Sequence, residues 1–261
     1  MHFGLMVNPS VDIVKHMEKI HENSFDFAEL AIEPPNALPE KIRNNLKEIK
    51  KTAALFSQPL VGHTAWWLDL GTEYNYMREA AIREFKKAAD ICSLLDIEYM
   101  NIHGIVFGLY TEEKTSKTVL KNFALSLKEI RLYAEKKDVK IMLENVPEGK
   151  TVRTFKSYRY IVDESGVYVH LDIGHAFIVG GMKEVSRYIR TFRNDIRHIH
   201  IHDNHGKSDE HLPLGRGNID FDIVVRELKR INYDGTMTFE VFTSMKDAVA
   251  SREKFRRMWG S

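Results

Sequence analysis

The sequence IRHIHIHDNHGKSDEHLPLGRGNI, from Ile196 to Ile219, holds five of the chain's twelve histidines. Its first half alternates histidine with isoleucine, which predicts a β-strand with one polar and one apolar face. The polar face carries His198, His200 and His202. A solvated surface strand is the usual explanation for a single histidine of this kind. Three in alternation, with Asp209 and His211 in the loop that follows, instead favour metal binding, because imidazole and carboxylate groups are common ligands of divalent metals.

The composition is that of an ordinary globular protein, with 43% hydrophobic residues, 29% charged residues and a formal charge of +1. A chain of 261 residues is long enough for one large barrel or sandwich, or for two small domains. The near-zero net charge neither requires nor excludes nucleic acid as a partner, because a local basic groove does not change the total.

Cys92 is the only cysteine, so an internal disulfide is excluded, and we expect a reducing, cytoplasmic location. No apolar run approaches the roughly 18 residues of a membrane span. The first ten residues, MHFGLMVNPS, do not have the pattern of a signal peptide. We therefore expect no membrane partner, and the sequence does not indicate an oligomeric state.

Short apolar runs alternate with longer amphipathic segments along the whole chain. The predicted strands are Phe3–Asn8, Phe25–Glu33, Leu60–Thr64, Tyr99–Gly104, Lys140–Val146, Val167–Gly174, Arg197–Asp203 and Thr236–Phe242. The predicted helices are Asp12–Glu22, Pro39–Ala54, Glu73–Leu95, Lys117–Lys137, Phe155–Asp163, Lys183–Phe192, Phe221–Ile231 and Met245–Trp259. Eight strands, each followed by a helix, predict an α/β fold of the (β/α)8 TIM-barrel type, with residues 1–261 as a single domain. The alternative, an open doubly wound sheet, normally has a glycine-rich first turn, and MVNPSVD has no glycine.

Potential metal ligands recur at the predicted C-terminal ends of the strands, where barrels of this type carry their sites. A lone His, Asp or Glu there is more often an ordinary hydrogen-bonded residue than a ligand. Here six consecutive strands supply at least one, and the full set is His63, His103, Glu144, Asp172, His175, His200, Asp209, His211 and Glu240. Four carboxylates in one place would repel one another unless cations were bound. The set therefore predicts two or three divalent metal ions, zinc or manganese, because nine ligands exceed the needs of one ion.

Seven motifs, in this order over nearly the whole chain, resemble those of the xylose isomerase-like TIM-barrel superfamily: HTAWWLDLG, NIHG, LENV, LDIGHAF, HIHDN, DEHLPLGRGNIDF and FEV. The superfamily includes sugar phosphate isomerases and epimerases and, as a branch, AP endonuclease family 2 (endonuclease IV). The endonuclease branch binds three zinc ions, and its ligand pattern matches all nine residues. The isomerase and epimerase branches use one ion, at positions that match Glu144, Asp172, His200 and Glu240. In those branches the two glutamates also move the protons.

The resemblance implies one of two reactions. In the first, a sugar or hydroxy-carbonyl chelates one metal ion, while Glu144 and Glu240 abstract and return a proton through an enediolate. In the second, a metal cluster generates hydroxide and binds the attacking and leaving oxygens of a phosphodiester at an abasic site in DNA. The number of bound ions, one to three, distinguishes the two.

Departures from the endonuclease pattern favour the sugar reaction. The endonuclease pattern has His-x-Ser-Tyr where this chain has HTAW at His63–Trp66, and it has cysteine where Gly174 stands. After the second strand the chain has acidic Glu33 and no basic residue before Lys41, so this edge would repel phosphates. Trp66 could act as a stacking wedge in DNA, but a tryptophan can equally form the wall of a sugar pocket.

We therefore predict a divalent-metal-dependent isomerase or epimerase of a small sugar or sugar phosphate, with DNA as a partner only under the alternative. The expected substrate contacts are Trp66, Glu33, His202 and Arg216, the last to a carboxylate or phosphate. A barrel that binds metal without catalysis would be expected to lack some of the nine ligands, and none is missing. The predicted register also requires His103 and Glu144 to lie within reach of a shared ion.

Overall fold

The computed structural model describes residues 1–106, 113–147 and 152–260. Eight parallel strands form a closed barrel in chain order, with the last strand paired to the first. They are β1 (His2–Val7), β2 (Phe27–Ile32), β3 (Val61–Thr64), β4 (Tyr99–His103), β5 (Lys140–Glu144), β6 (Tyr168–Asp172), β7 (Ile196–Ile201) and β8 (Thr236–Phe239). The predicted (β/α)8 barrel is confirmed, and every predicted strand overlaps an observed one.

The helices surround the barrel and connect successive strands. They are α1 (Ile13–Glu22), α2 (Pro39–Asn44), α3 (Leu46–Ala53), α4 (Asn75–Leu94), α5 (Glu113–Glu135), α6 (Phe155–Ser165), α7 (Ile173–Thr191), α8 (Phe221–Arg230) and α9 (Met245–Gly260). Their apolar faces pack on the outward-facing isoleucines, leucines and valines of the strands to form the main core. Within the described ranges, no helix is long and apolar enough to cross a membrane.

Two predicted helices differ from the structure. The predicted helix Pro39–Ala54 is divided into α2 and α3, because Asn45 has a non-helical backbone with φ −107° and ψ 14°. The predicted helix Lys183–Phe192 is only the second half of α7, which begins directly after β6 and bends at Gly180 and Gly181. Gly181 has φ +63°, a conformation that favours glycine, so the bend follows from the sequence GG.

The interior of the barrel has an apolar lower layer and a polar upper layer. Near the N-terminal ends of the strands, Phe27, Val61 and Met142 form a small apolar cluster, separate from the main core. Gly4 makes room for it, because a Cβ atom at this position would overlap the Phe27 ring. Above this cluster the interior is filled by fully buried polar side chains, namely Glu29, Asn101, His170, His198 and His200. The apolar layer thus closes the barrel from below, and the polar groups face the C-terminal end.

Candidate metal and active site

The centre of the site is the buried imidazole of His200, near the end of β7. Its Nδ1 atom lies 3.2 Å from Glu240 Oε2, 3.6 Å from Asp172 Oδ2 and 3.8 Å from Glu144 Oε1. All four residues are at most 6% exposed. Three carboxylates therefore converge on one side of a single imidazole, in a space where a cation would be stabilised by all four groups.

The strand register and two backbone contacts bring these four residues together. Asp172 is paired with His200 across β6 and β7, and the Glu240 N–H donates to the Ile201 carbonyl at 3.0 Å. Asn145 links the ends of β5 and β6, because its amide donates to the Asp172 carbonyl and its oxygen accepts from the Asp172 N–H, both at 2.9 Å. These contacts align the C-terminal ends of β5 to β8, so the carboxylates at the ends of these strands lie next to one another.

A second group lies on the side of β3 and β4. His103 Nε2 is 3.2 Å from Glu144 Oε2, and His63 Nε2 is 3.9 Å from the same oxygen. The two imidazole rings meet edge to face with centroids 4.7 Å apart. His103 is directly paired with Glu144 in the β4–β5 register, so the two residues lie within reach of a shared ion, as the predicted register requires.

A third group lies on the other side, between α7 and the loop after β7. Asp209 Oδ2 is 2.8 Å from His211 Nε2 and 3.1 Å from His175 Nε2. His211 Nδ1 is also 3.4 Å from Glu240 Oε2, which connects this group to the central one. Ligand atoms of His175, His202, Asp209 and His211 lie within 4.8 Å of one another. The structure therefore brings all nine predicted ligands to one end of the barrel, in three adjoining groups. We call these nine residues the ring.

Asp203 holds the loop that carries Asp209 and His211. It is fully buried, and its carboxylate accepts four backbone N–H groups from later residues of the same stretch, Asn204, Gly215, Gly217 and Ile219. Gly217 packs so closely that a Cβ atom there would overlap the Asp203 carboxylate and the Asn204 carbonyl. The loop is thus folded around one buried carboxylate.

The charges in the ring are mutually stabilising. Burial alone would raise the pKa of Glu144 and Glu240, but the imidazoles around them, His103 and His200 first, hold both values below the usual range. Burial lowers the pKa of His200, and the carboxylates of Glu240, Glu29 and Glu144 more than reverse this, raising it well above its usual value. Burial lowers the pKa of His103 to about 4, so its imidazole is neutral at pH 7. The ionised carboxylates and the neutral imidazole of His103 are in the form that binds a divalent cation, whereas His200 must release a proton when a cation binds at its Nδ1.

The ring residues fit a metal ion, because many of their buried polar atoms have no hydrogen-bond partner among the described residues. These atoms are both imidazole nitrogens of His63, Nδ1 of His103 and His200, and one carboxylate oxygen each of Asp172 and Asp209. A buried polar atom without a partner is costly, and natural proteins contain few of them. Their concentration in one ring is what a set of metal ligands produces when the ion is not counted.

The ring forms the floor of a cavity of about 400 Å³. Two predicted substrate contacts lie on its wall: Trp66, whose surface is 48% exposed, and half-buried Glu33, which has one buried oxygen without a hydrogen-bond partner among the described residues. The other two predicted contacts do not line it. His202 is buried behind the ring, 3.2 Å from Asp172 Oδ1, and Arg216 is an exposed side chain 3.9 Å from Asp247.

Buried polar residues beneath or beside the ring that the sequence patterns do not predict as site residues include Glu29, Asn101, His170 and Asp203. Asn101 donates to Glu144 Oε2, and Glu29 contacts His200. Each stands in or next to a strand, and a charged residue in the middle of the apolar run FAELAI was the one available signal for Glu29.

Comparison with known proteins matches the chain to a family of TIM-barrel proteins. The profile described as xylose isomerase-like TIM barrel matches residues 17–258. An uncharacterized protein of Methanocaldococcus jannaschii is 30% identical, over 97% of this chain and 87% of that protein. Fructoselysine 3-epimerase of Escherichia coli O157:H7 is 24% identical, over 85% of this chain and 82% of the enzyme.

Two further matches bear on the two candidate reactions. A solved structure of a D-tagatose 3-epimerase-like protein superposes with a TM-score of 0.87 at 28% identity, covering 100% of this chain and 97% of that protein. A probable endonuclease 4 of Aquifex aeolicus is 23% identical, over 92% of this chain and 91% of that protein. The relatives thus include sugar 3-epimerases and a protein of the endonuclease type.

Proposed function

The chain belongs to the xylose isomerase-like TIM-barrel family, and we propose that it is a divalent-metal-dependent epimerase of a small ketose or ketose derivative. The observation that carries the proposal is the convergence of Glu144, Asp172 and Glu240 on Nδ1 of His200, at 3.2–3.8 Å. These are the four positions that match the single-ion site of the isomerase and epimerase branches. We propose that residues 1–261 act as one domain and that the ion is zinc or manganese.

The size and polarity of the cavity support a small, uncharged substrate. Its volume of about 400 Å³ is near the lower end of the roughly 300–1,000 Å³ of small-molecule pockets. Among the described residues, those that line it include four acidic side chains and no lysine or arginine. Such a lining disfavours a phosphate group, so we propose a free sugar rather than a sugar phosphate. Trp66 offers the flat apolar face on which a sugar ring can stack.

The proposed mechanism uses Glu144 and Glu240 as the two proton-transfer groups. A divalent cation held by these glutamates together with Asp172 and His200 would polarise the carbonyl and hydroxyl oxygens of the substrate. One glutamate takes the proton from the carbon beside the carbonyl, and the other returns a proton to the opposite face, which inverts that carbon without net change in composition. Asn101, which donates to Glu144 Oε2, holds that carboxylate in position.

The direct test incubates the manganese-loaded protein with D-tagatose, D-psicose and D-fructose in D2O and follows deuterium at carbon 3. We expect exchange and epimerisation, both lost by a factor of about 10²–10⁴ in Glu144→Gln and in Glu240→Gln. Glu227→Gln is the matched control, because Glu227 is also buried but pairs with Arg190 on the outside of the barrel. Absence of exchange with every ketose and ketose phosphate of a broad panel would contradict the proposal.

The second candidate is an endonuclease IV-like phosphodiesterase. It is favoured by the two outer groups, His63 with His103 and His175 with Asp209 and His211, which a single-ion site does not need. Zinc content measured after dialysis separates the candidates, because three tightly held ions per chain support the nuclease and one exchangeable ion supports the epimerase. Incubation with a duplex that contains an abasic site completes the test. Nicking that disappears in Glu144→Gln would replace the sugar proposal with this one.

A further inference from the structure

The structure contains a buried carboxylate, Glu29, directly beneath the proposed ion-binding imidazole. Glu29 lies in the middle of β2, is fully buried, and is paired in register with Met6 and Val61 of the neighbouring strands. Its Oε1 and Oε2 lie 3.1 and 3.0 Å from Nε2 of His200. A buried carboxylate at this place costs desolvation free energy, so a compensating role is expected.

We propose that Glu29 is a positioning residue that fixes the ring orientation and tautomer of His200, so that Nδ1 presents its lone pair to the ion. This proposal rests on the proposed function, because it assumes that His200 is a metal ligand. An ionised carboxylate can only accept hydrogen bonds, so Nε2 of His200 must carry the proton. The neutral imidazole then has its lone pair on Nδ1, the atom that faces Glu144, Asp172 and Glu240.

Glu29 is also hydrogen-bonded to a second histidine, His198, which in turn contacts Thr236. Its Oε2 also lies 3.2 Å from Nε2 of His198, whose Nδ1 is 2.7 Å from the hydroxyl of Thr236. Thr236 can donate to His198 Nδ1, His198 Nε2–H can donate to Glu29, and His200 Nε2–H can donate to the same carboxylate. The carboxylate therefore joins β2, β7 and β8 beneath the ring. A hydrogen-bonded partner on the far nitrogen is a common means of orienting a metal-bound histidine.

Two substitutions separate the charge of Glu29 from its hydrogen bonds. Glu29→Gln removes the charge but keeps one carbonyl oxygen, which can still accept from His200. The glutamine no longer offers an acceptor to His198, but His198 can change its tautomer and donate to Thr236 from Nδ1 instead. Glu29→Leu has a similar volume and removes both the charge and the acceptor. We expect the dissociation constant for Mn²⁺ to rise about 10- to 100-fold in Glu29→Leu, with a smaller rise in Glu29→Gln. Glu227→Gln, the buried carboxylate outside the barrel, should leave it unchanged.

The tautomer itself is measured in the wild-type protein, which removes any dependence on how the variants fold. Two-dimensional ¹⁵N NMR of histidine-labelled protein should identify His200 as the Nε2–H form, both without metal in the neutral state and with Zn²⁺ bound. A proton on Nδ1 of His200 in the zinc-bound protein, or a folded Glu29→Leu variant that binds Mn²⁺ as tightly as Glu227→Gln, would overturn the proposal.

These measurements need no substrate, so they are independent of the epimerase assay. If the protein epimerised no ketose, the proposed function would be wrong, but the Mn²⁺ affinities and the His200 tautomer would still test the role of Glu29. Conversely, an active epimerase whose Glu29→Leu variant keeps full Mn²⁺ affinity would retain the function and overturn the role of Glu29. The readouts therefore distinguish failure of one proposal from failure of the other.

Discussion

Replacement of Asp203 tests how the loop between β7 and α8 is held. Its Oδ1 accepts from the N–H groups of Asn204 and Ile219 at 2.9 and 3.2 Å. Its Oδ2 accepts from those of Gly215 and Gly217 at 2.8 and 2.9 Å. Asp203→Asn keeps the shape of the side chain but exchanges one oxygen for an NH2 group, which cannot accept a hydrogen bond from an amide. Two of the four N–H donors therefore lose their acceptor.

The magnitude follows from the number of lost bonds. A hydrogen bond to a charged group contributes roughly 1.5–3 kcal/mol, so two of them amount to about 3–6 kcal/mol. The loop can open locally and hydrate the two stranded N–H groups, which limits the loss. We therefore expect Asp203→Asn to lower the free energy of unfolding by about 3 kcal/mol, the lower end of this range. Because Asp209 and His211 lie on the same loop, the variant should also bind fewer or weaker metal ions.

The measurement is urea unfolding followed by far-UV circular dichroism, together with limited proteolysis of the folded protein and metal content after dialysis. Asp220→Asn is the matched control, because Asp220 caps α8 by accepting one N–H, from Ile223 at 3.1 Å, and asparagine caps a helix about equally well. If Asp203→Asn changed the free energy of unfolding no more than the control, the four hydrogen bonds of Asp203 would not be what stabilises the loop.

Three further predictions concern packing, pH and metal removal. In Gly174→Ala the added Cβ would overlap the His202 ring, so we expect the free energy of unfolding, measured by thermal unfolding, to fall by about 1–3 kcal/mol. Burial lowers the pKa of His211, but Glu240 and Asp209 raise it to about 9, so in the metal-free protein its ion pairs stabilise below pH 6.5 and are lost towards pH 9. The difference in unfolding free energy from His211→Gln should therefore shrink over this interval. Chelation should reversibly lower the free energy of unfolding by about 2.7 kcal/mol relative to protein with metal at 100 times its dissociation constant.

The barrel and the place of the ring could be predicted because both depend on local, regular patterns. Each strand is a short apolar run, and in a parallel barrel all strand ends of one kind meet at one end. His103 and Glu144 illustrate this, since each ends its own strand and the two are direct neighbours in the register. The pattern did not indicate that α7 begins at Ile173, because glycine and β-branched residues are poor helix formers and the helix depends on a cap from Asp172.

The roles of the residues that support the ring could not be predicted from the sequence, for a different reason. Glu29 and His200 are 171 residues apart, and nothing local in FAELAI indicates which imidazole the carboxylate meets. Asp203 looks like one more acidic residue of a histidine-rich stretch, yet its function in the structure is to bind backbone groups up to 16 residues later. Such partnerships depend on how the loop closes in three dimensions, which periodicity and composition do not encode.

Position 174 gives a physical reason for one departure from the endonuclease pattern. The cysteine of that pattern would place a Cβ atom in the space that the His202 ring occupies in this protein. His202 is held there, because its Nε2 lies 3.2 Å from Asp172 Oδ1 and its ring stacks on that of His211 with centroids 4.2 Å apart. A side chain at position 174 would therefore push His202 against His211, and so change the geometry of the third group while all nine ligand residues keep their identity. Because the ring alone is compatible with either reaction, residues packed behind it, such as Gly174 and His202, are where the geometry of the third group is set.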